Sequence, residues 1–155
     1  MKLVRLCALF GFISMTLFAY EAKKIEVENT SLDVPADWRV SYATALNLYE
    51  LISPEYIVTG SLHRENLDRD FTFDEYYEYS LQGIKKLIPD IKIIERKDNY
   101  HIFSVVMIGY EIIEFQFFYL HEQQGYILTF ALTKEEFETY RDLLFEISNS
   151  FEIGQ

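Results

Sequence analysis

Residues Tyr100 to Leu132 constrain this chain most, because they read as three successive strands joined by short polar turns. The middle strand places Ile113, Phe115, Phe117 and Tyr119 on one phase, and Ile112, Glu114, Gln116, Phe118 and Leu120 on the other. Successive side chains of a pleated strand leave opposite faces, so each phase marks one face of a sheet. The first strand, Tyr100 to Tyr110, is apolar on both phases: Ile102, Val106 and Ile108 on one, Phe103, Val105 and Met107 on the other. A strand apolar on both sides needs cover on both sides. Tight turns near Gly109 to Glu111 and at Glu122 to Gly125 make the run an antiparallel meander.

Two helices supply that cover. Thr72 and Glu75 stand in capping-box spacing, and Phe73, Tyr76, Tyr77, Ser80, Leu81, Ile84, Leu87 and Ile88 form one stripe at helical period. Asp74, Glu75 and Glu78 come early and Lys85 and Lys86 late, as the helix dipole prefers, and Pro89 ends the run. Gly83 weakens this helix unless it allows close approach to the sheet. Thr133 and Glu136 repeat the capping spacing before a second stripe of Phe137, Tyr140, Leu144, Ile147 and Phe151.

Upstream, Lys24 to Val27 and Ser31 to Pro35 read as short strands, and Ala36-Asp37-Trp38 turns the single tryptophan into a core or rim position. Thr44 to Ile52 and Tyr56 to Leu62 read as a strand pair. His63 to Asp70 reads as a charged link, and Ile91 to Arg96 as another strand. Strands joined by hairpin-length turns and interrupted by two helices give an α+β fold, with an antiparallel sheet and helices on its faces.

The first residues stand apart. Lys2 and Arg5 precede an apolar run from Leu6 to Phe18, and Ala19 and then Ala22 offer small residues for cleavage, the layout of a secretory signal peptide. The expected organisation is a signal over 1–19, or to 22 at the latest, and one α+β domain over 23–155, placed in the periplasm or outside the cell. The competing reading is an uncleaved anchor, for which Leu3 to Tyr20 is near the lower length limit. The only cysteine, Cys7, lies in this segment, so the mature chain would have no disulfide, thiol nucleophile or cysteine-ligated metal.

A net charge of -11 argues against nucleic acid as a partner, and against docking on anionic lipid through a polybasic patch. His63, His101 and His121 are far apart, and the latter two fall at strand ends, where a polar residue at the sheet rim is the plain reading. Asp68, Asp70, Thr72 and Asp74 alternate like the start of a calcium loop, but Phe73 replaces the required glycine and Tyr79 the closing glutamate. No Gly-x-Ser-x-Gly elbow and no glycine-rich phosphate loop occurs. The expectation is a protein that is not an enzyme and has no catalytic residue, metal or cofactor.

Val34-Pro35-Ala36-Asp37-Trp38 after the early strands, the Phe73 to Pro89 helix, Tyr126-Ile127-Leu128-Thr129-Phe130 and the closing Ser150-Phe151 together resemble the PsbP-like superfamily. That superfamily also holds the bacterial DcrB-like proteins and a eukaryotic Ran-binding family. The resemblance spans roughly Ile25 to Ile153 and rests on order and spacing. It implies an α/β/α sandwich that binds or assists another envelope or secreted protein, with the membrane involved only if the N-terminal segment stays uncleaved. The surface around Trp38 and the Tyr56 to Asp70 strand and link is the candidate site, with Trp38, Tyr56, His63 and Arg64 as binding residues. The alternative is a small-ligand binder or hydrolase with a pocket between sheet and helix lined by Tyr76, Tyr77 and Phe118.

Overall fold

The computed structural model describes residues 20–42 and 48–154. In chain order the elements are β1 (Ala22–Val27), β2 (Thr30–Pro35), β3 (Arg39–Tyr42), β4 (Tyr49–Ile52), a 3-10 turn (Pro54–Tyr56), β5 (Val58–Asn66) and α1 (Phe73–Leu87). There follow β6 (Lys92–Lys97), β7 (Tyr100–Met107), β8 (Tyr110–His121), β9 (Gln124–Thr133), α2 (Phe137–Asn149) and β10 (Glu152–Ile153). One sheet has the order β3-β4-β5-β9-β8-β7-β6, a second the order β1-β2-β10, and every pairing is antiparallel.

The meander forms the middle of the large sheet. Phe115 stands opposite Ile102 of β7 and Phe130 of β9, and Phe117 opposite Tyr100 and Leu128. On this face the Phe145 ring of α2 meets Phe115 at 5.8 Å and Phe117 at 5.5 Å. Leu144 and Ile147 of α2, with Ile25, Leu32 and Val34 of the small sheet, complete the same core. Phe118 leaves β8 on the opposite phase and meets Tyr76 and Tyr77 of α1 at 6.3 and 5.0 Å. The two helices therefore touch opposite phases of one strand. Rings and branched chains filling both sides supply the apolar burial that drives folding.

Local chemistry fixes most boundaries. The capping box of α1 forms as its spacing predicts: Thr72 accepts from the Glu75 backbone, and the Glu75 carboxylate accepts from the Thr72 backbone at 2.8 Å. That bond and Arg69 hold the Glu75 carboxyl below its ordinary range. The second box does not form. Thr133 stays in β9 opposite Ile112, and α2 starts only after Glu136, which caps without a side-chain bond. Phe151 follows the helix and packs its ring on Tyr119 at 4.4 Å.

Further expectations are corrected or decided. His63 to Asn66 continue β5, because each pairs with β9 from Ile127 to Gln124. Leu87 points outward, 84% exposed, because the core under α1 takes in Phe73, Tyr76, Tyr77 and Leu81 but no residue of the last turn of the helix. Gly83 is exposed with nothing within 4 Å of an added Cβ, so it serves no close approach. The first meander turn falls at Ile108-Gly109, one residue before the expected place. The described part of β4 begins at Tyr49, and the expected strand start at Thr44 lies outside the described residues, as does the segment 1–19. Ala22 opens β1, and the Glu21 carbonyl accepts from Ala36. No helix among the described residues is long and apolar enough to cross a membrane.

Candidate functional site

Two places concentrate polar chemistry, one buried and one at a sheet edge. The buried one centres on His101, which is wholly covered under α1 instead of standing at the sheet rim. Its phase explains this: His101 leaves β7 on the same face as Phe103, opposite Gln116 of β8. The rings of Tyr77, Phe103 and Phe118 surround it at 5.0 to 5.5 Å. Nε2 lies 2.9 Å from Gln116 Oε1, which accepts only, so Nε2 carries the proton and Nδ1 accepts from the Tyr77 hydroxyl at 2.9 Å. Gln116 donates onward to Glu114 at 3.5 Å. Desolvation drives the His101 pKa down to about 4, and burial pushes the Glu114 carboxyl up. The chain Tyr77–His101–Gln116–Glu114 is directional, with the neutral imidazole serving as a rivet between helix and sheet.

Tyr76, Tyr77 and Phe118 do not line an open pocket. Their rings touch one another, and all three are fully buried between α1 and β8. The space expected to hold a ligand is filled by the side chains expected to surround it.

The second place is a groove of about 580 Å³ where the small sheet meets the β3 edge of the large one. Ile25, Trp38, Val40 and Ile52 give it an apolar floor, while Lys23, Lys24, Arg39 and Tyr42 form its rim. No acidic side chain among the described residues lines it, in a chain whose net charge is -11. Lys23 donates to the backbone carbonyls of Ala36 and Trp38, tying β1 to the turn before β3. Lys24 reaches Glu152 at 3.4 Å. The Arg39 guanidinium lies over the Tyr56 ring, 4.8 Å from its centroid, and Tyr42 is 55% exposed. Among the described residues β3 is the last strand of its sheet, so no described strand pairs with its outer backbone groups. An extended segment adding beside β3 finds backbone partners, an apolar floor and cations for acidic side chains.

The expected binding residues separate into two groups. Trp38 and Tyr56 both belong to this edge, Trp38 as floor at 3% exposure with its ring against Phe130, and Tyr56 as an exposed rim under Arg39. His63 and Arg64 lie four and five residues beyond Thr59, roughly 13 to 17 Å along β5 from the strand pairs that reach Arg39. Half-buried His63 stands opposite Ile127, while Arg64 leaves the other face and pairs with Glu28. Lys23, Arg39 and Tyr42 were not legible as site residues, because the abutment of β1 and β3 joins two sheets and leaves no local pattern.

The sequence matches no family model and no curated protein. Among solved structures the chain is similar to the cyanobacterial PsbP protein CyanoP of Synechocystis, with a TM-score of 0.66 and 8% identity over 89% of this chain and 95% of that one. It is also similar to LpqN of Mycobacterium tuberculosis, a protein involved in cell envelope biogenesis, with a TM-score of 0.55 and 15% identity over 87% and 91% of the two chains. Protein PA94 of Pseudomonas aeruginosa gives a TM-score of 0.53 at 15% identity over 81% and 92%. The chain has the PsbP-like fold.

Proposed function

We propose that this protein is an exported accessory or assembly module of the cell envelope, an α/β/α sandwich of PsbP type that acts by binding another protein. The groove between β1 and β3 carries this reading. It offers an open strand edge, an apolar floor and a rim of lysine, arginine and tyrosine that suits an extended segment bearing acidic and apolar residues. The envelope role named for LpqN supports the setting. The buried histidine is engaged on both ring nitrogens by Tyr77 and Gln116, which supports a structural use in place of catalysis.

A photo-crosslinking amino acid at Tyr42, introduced in the intact cell, tests it. The expected result is a discrete adduct lost on Arg39→Glu and missing from a probe at Glu138 on α2. Identical adducts at both positions, or none at Tyr42, overturn the reading.

A further inference from the structure

Of the ten large hydrophobic residues exposed among the described residues, eight fall between Tyr79 and Tyr110. Of the five basic residues in this segment, Lys85, Lys86 and Lys92 lie toward the β7–β8 turn, while Arg96 and Lys97 stand at the far hairpin opposite His101 and Tyr100. We infer from this overlap that the edge formed by the end of α1, β6 and the β7–β8 turn docks on an anionic phospholipid bilayer. The inference goes beyond the protein-binding groove, which lies at the opposite edge of the large sheet.

The backbone of the turn itself is the second observation. Ile108 and Gly109 both have positive φ, 51° and 84°, as a two-residue turn of the primed type requires. That turn favours asparagine or aspartate before glycine, and a β-branched residue at positive φ is strained. Here the most exposed large hydrophobic residue among the described residues, Ile108 at 96%, occupies that position. Strain held at an exposed apolar tip points to a partner that the tip enters.

The dimensions and charges fit a bilayer surface. Val106, Met107 and Tyr110 stand within two residues of Ile108, so entry to their level needs a depth of about 7 Å, within the range of interfacial insertion. Tyr110 is the kind of residue that rests at headgroup level. Lys85 and Lys86 occupy the last turn of α1, and Lys92 opens β6 opposite Ser104, four residues before the tip. Asp90 and Glu135 are the acids of this end, and Glu111 is matched by Lys134 at 2.8 Å. The bulk negative charge that disfavours such docking is an average over the chain, and charges beyond about 8 Å are screened at physiological salt. A second copy is a poorer occupant, since the tip is convex and each copy brings a charge of -11.

An environment-sensitive fluorophore on Ile108→Cys, in a full chain carrying Cys7→Ser, reads this directly, with a control label on Gln123→Cys at the other end of β8. Vesicles of phosphatidylglycerol and phosphatidylcholine in equal parts shift the emission to the blue at position 108 and leave position 123 unchanged. Reversing Lys85, Lys86 and Lys92 to glutamate weakens that response about a hundredfold. The inference fails if position 108 does not respond, or if both labels respond alike, which assigns the binding to the N-terminal segment. It fails also if pure phosphatidylcholine serves equally well, or if the shift appears without vesicles as concentration rises, which indicates self-association.

Discussion

His101 and Gln116 face each other across β7 and β8 with Nε2 and Oε1 2.9 Å apart, and this bond fixes the imidazole as a neutral tautomer inside the sheet. The fold therefore holds a group that an unfolded chain protonates near pH 6.5 but that here resists protonation down to about pH 4. Stability from this source is fully present above pH 6.5 and is lost as the pH falls toward 4, because the unfolded chain takes up the proton first. Between pH 7 and pH 5 the loss is about 2 kcal/mol. Glu114, whose carboxyl is pushed up by burial, acts in the opposite sense. Glu75 and Glu95, held low by Thr72 and by Tyr100 with Arg141, come into play only at still lower pH. Urea titrations at the two pH values should show the drop in the natural protein and a much flatter dependence in His101→Gln.

Tyr77→Phe removes one hydroxyl from the same chain and nothing else. His101 Nδ1 then has no donor in a site closed to water, and an unmet buried acceptor costs about 1–3 kcal/mol. Because the phenyl ring still packs on Phe118, the loss should appear in the denaturation midpoint without a change in its slope. An unchanged midpoint would mean that the helix is held by ring packing alone.

Two glycines should respond in opposite directions to alanine. At Gly125 the new methyl group would land on the Tyr76 ring, which is buried and backed by α1, so Gly125→Ala should cost about 2 kcal/mol or more. At Gly83 the methyl group meets nothing within 4 Å, and the position lies inside a helix. Gly83→Ala should therefore add about 0.5–1 kcal/mol. Thermal melts of the two variants decide both points.

What the sequence discloses follows from the range of the interaction involved. The alternation of residues 110–121 and the Thr72–Glu75 box are local, and both appear in the structure as read. Thr133 and Glu136 satisfy the same spacing rule but lose to β9, since Thr133 gains a strand partner in Ile112 that an isolated cap does not offer. The charged run His63 to Asn66 reads as a link because its apolar content is nil, yet pairing with Gln124 to Ile127 carries the strand through it. The third strand of the small sheet comes from Glu152 and Ile153 meeting Ser31 and Thr30 from the far end of the chain, so no window of residues could reveal it. His101 was legible in principle, since its phase is shared with Phe103 and Val105 on a strand apolar on both faces.

Trp38 forms part of the floor of the groove between β1 and β3, which changes what its mutation can report. Its ring meets Phe130 edge-on at 6.4 Å, in the same core as Leu51 and Leu128. Trp38→Ala should cost about 3–5 kcal/mol through the cavity left behind, so any loss of partner capture would follow from unfolding. Arg39→Glu alters only an exposed cation above Tyr56 and should leave the melting temperature within a few degrees. Circular dichroism melts beside the Tyr42 crosslink separate the two effects. A crosslink lost from a fully folded Arg39→Glu protein places recognition at the rim.

Ile108 poses the opposite case, a residue that costs stability where it stands. Asparagine tolerates positive φ and is favoured before glycine in a primed turn, so Ile108→Asn relieves strain of about 1 kcal/mol or more. No packing is given up in exchange, because the side chain is 96% exposed. Equilibrium unfolding should show the variant to be the more stable protein, while vesicle sedimentation shows it to be the weaker lipid binder. If Ile108→Asn gains stability and binds phosphatidylglycerol vesicles as well as the natural chain, the strain has no purpose at the membrane. A loss of stability would instead show that Ile108 is held by contacts within the fold, which its exposure contradicts.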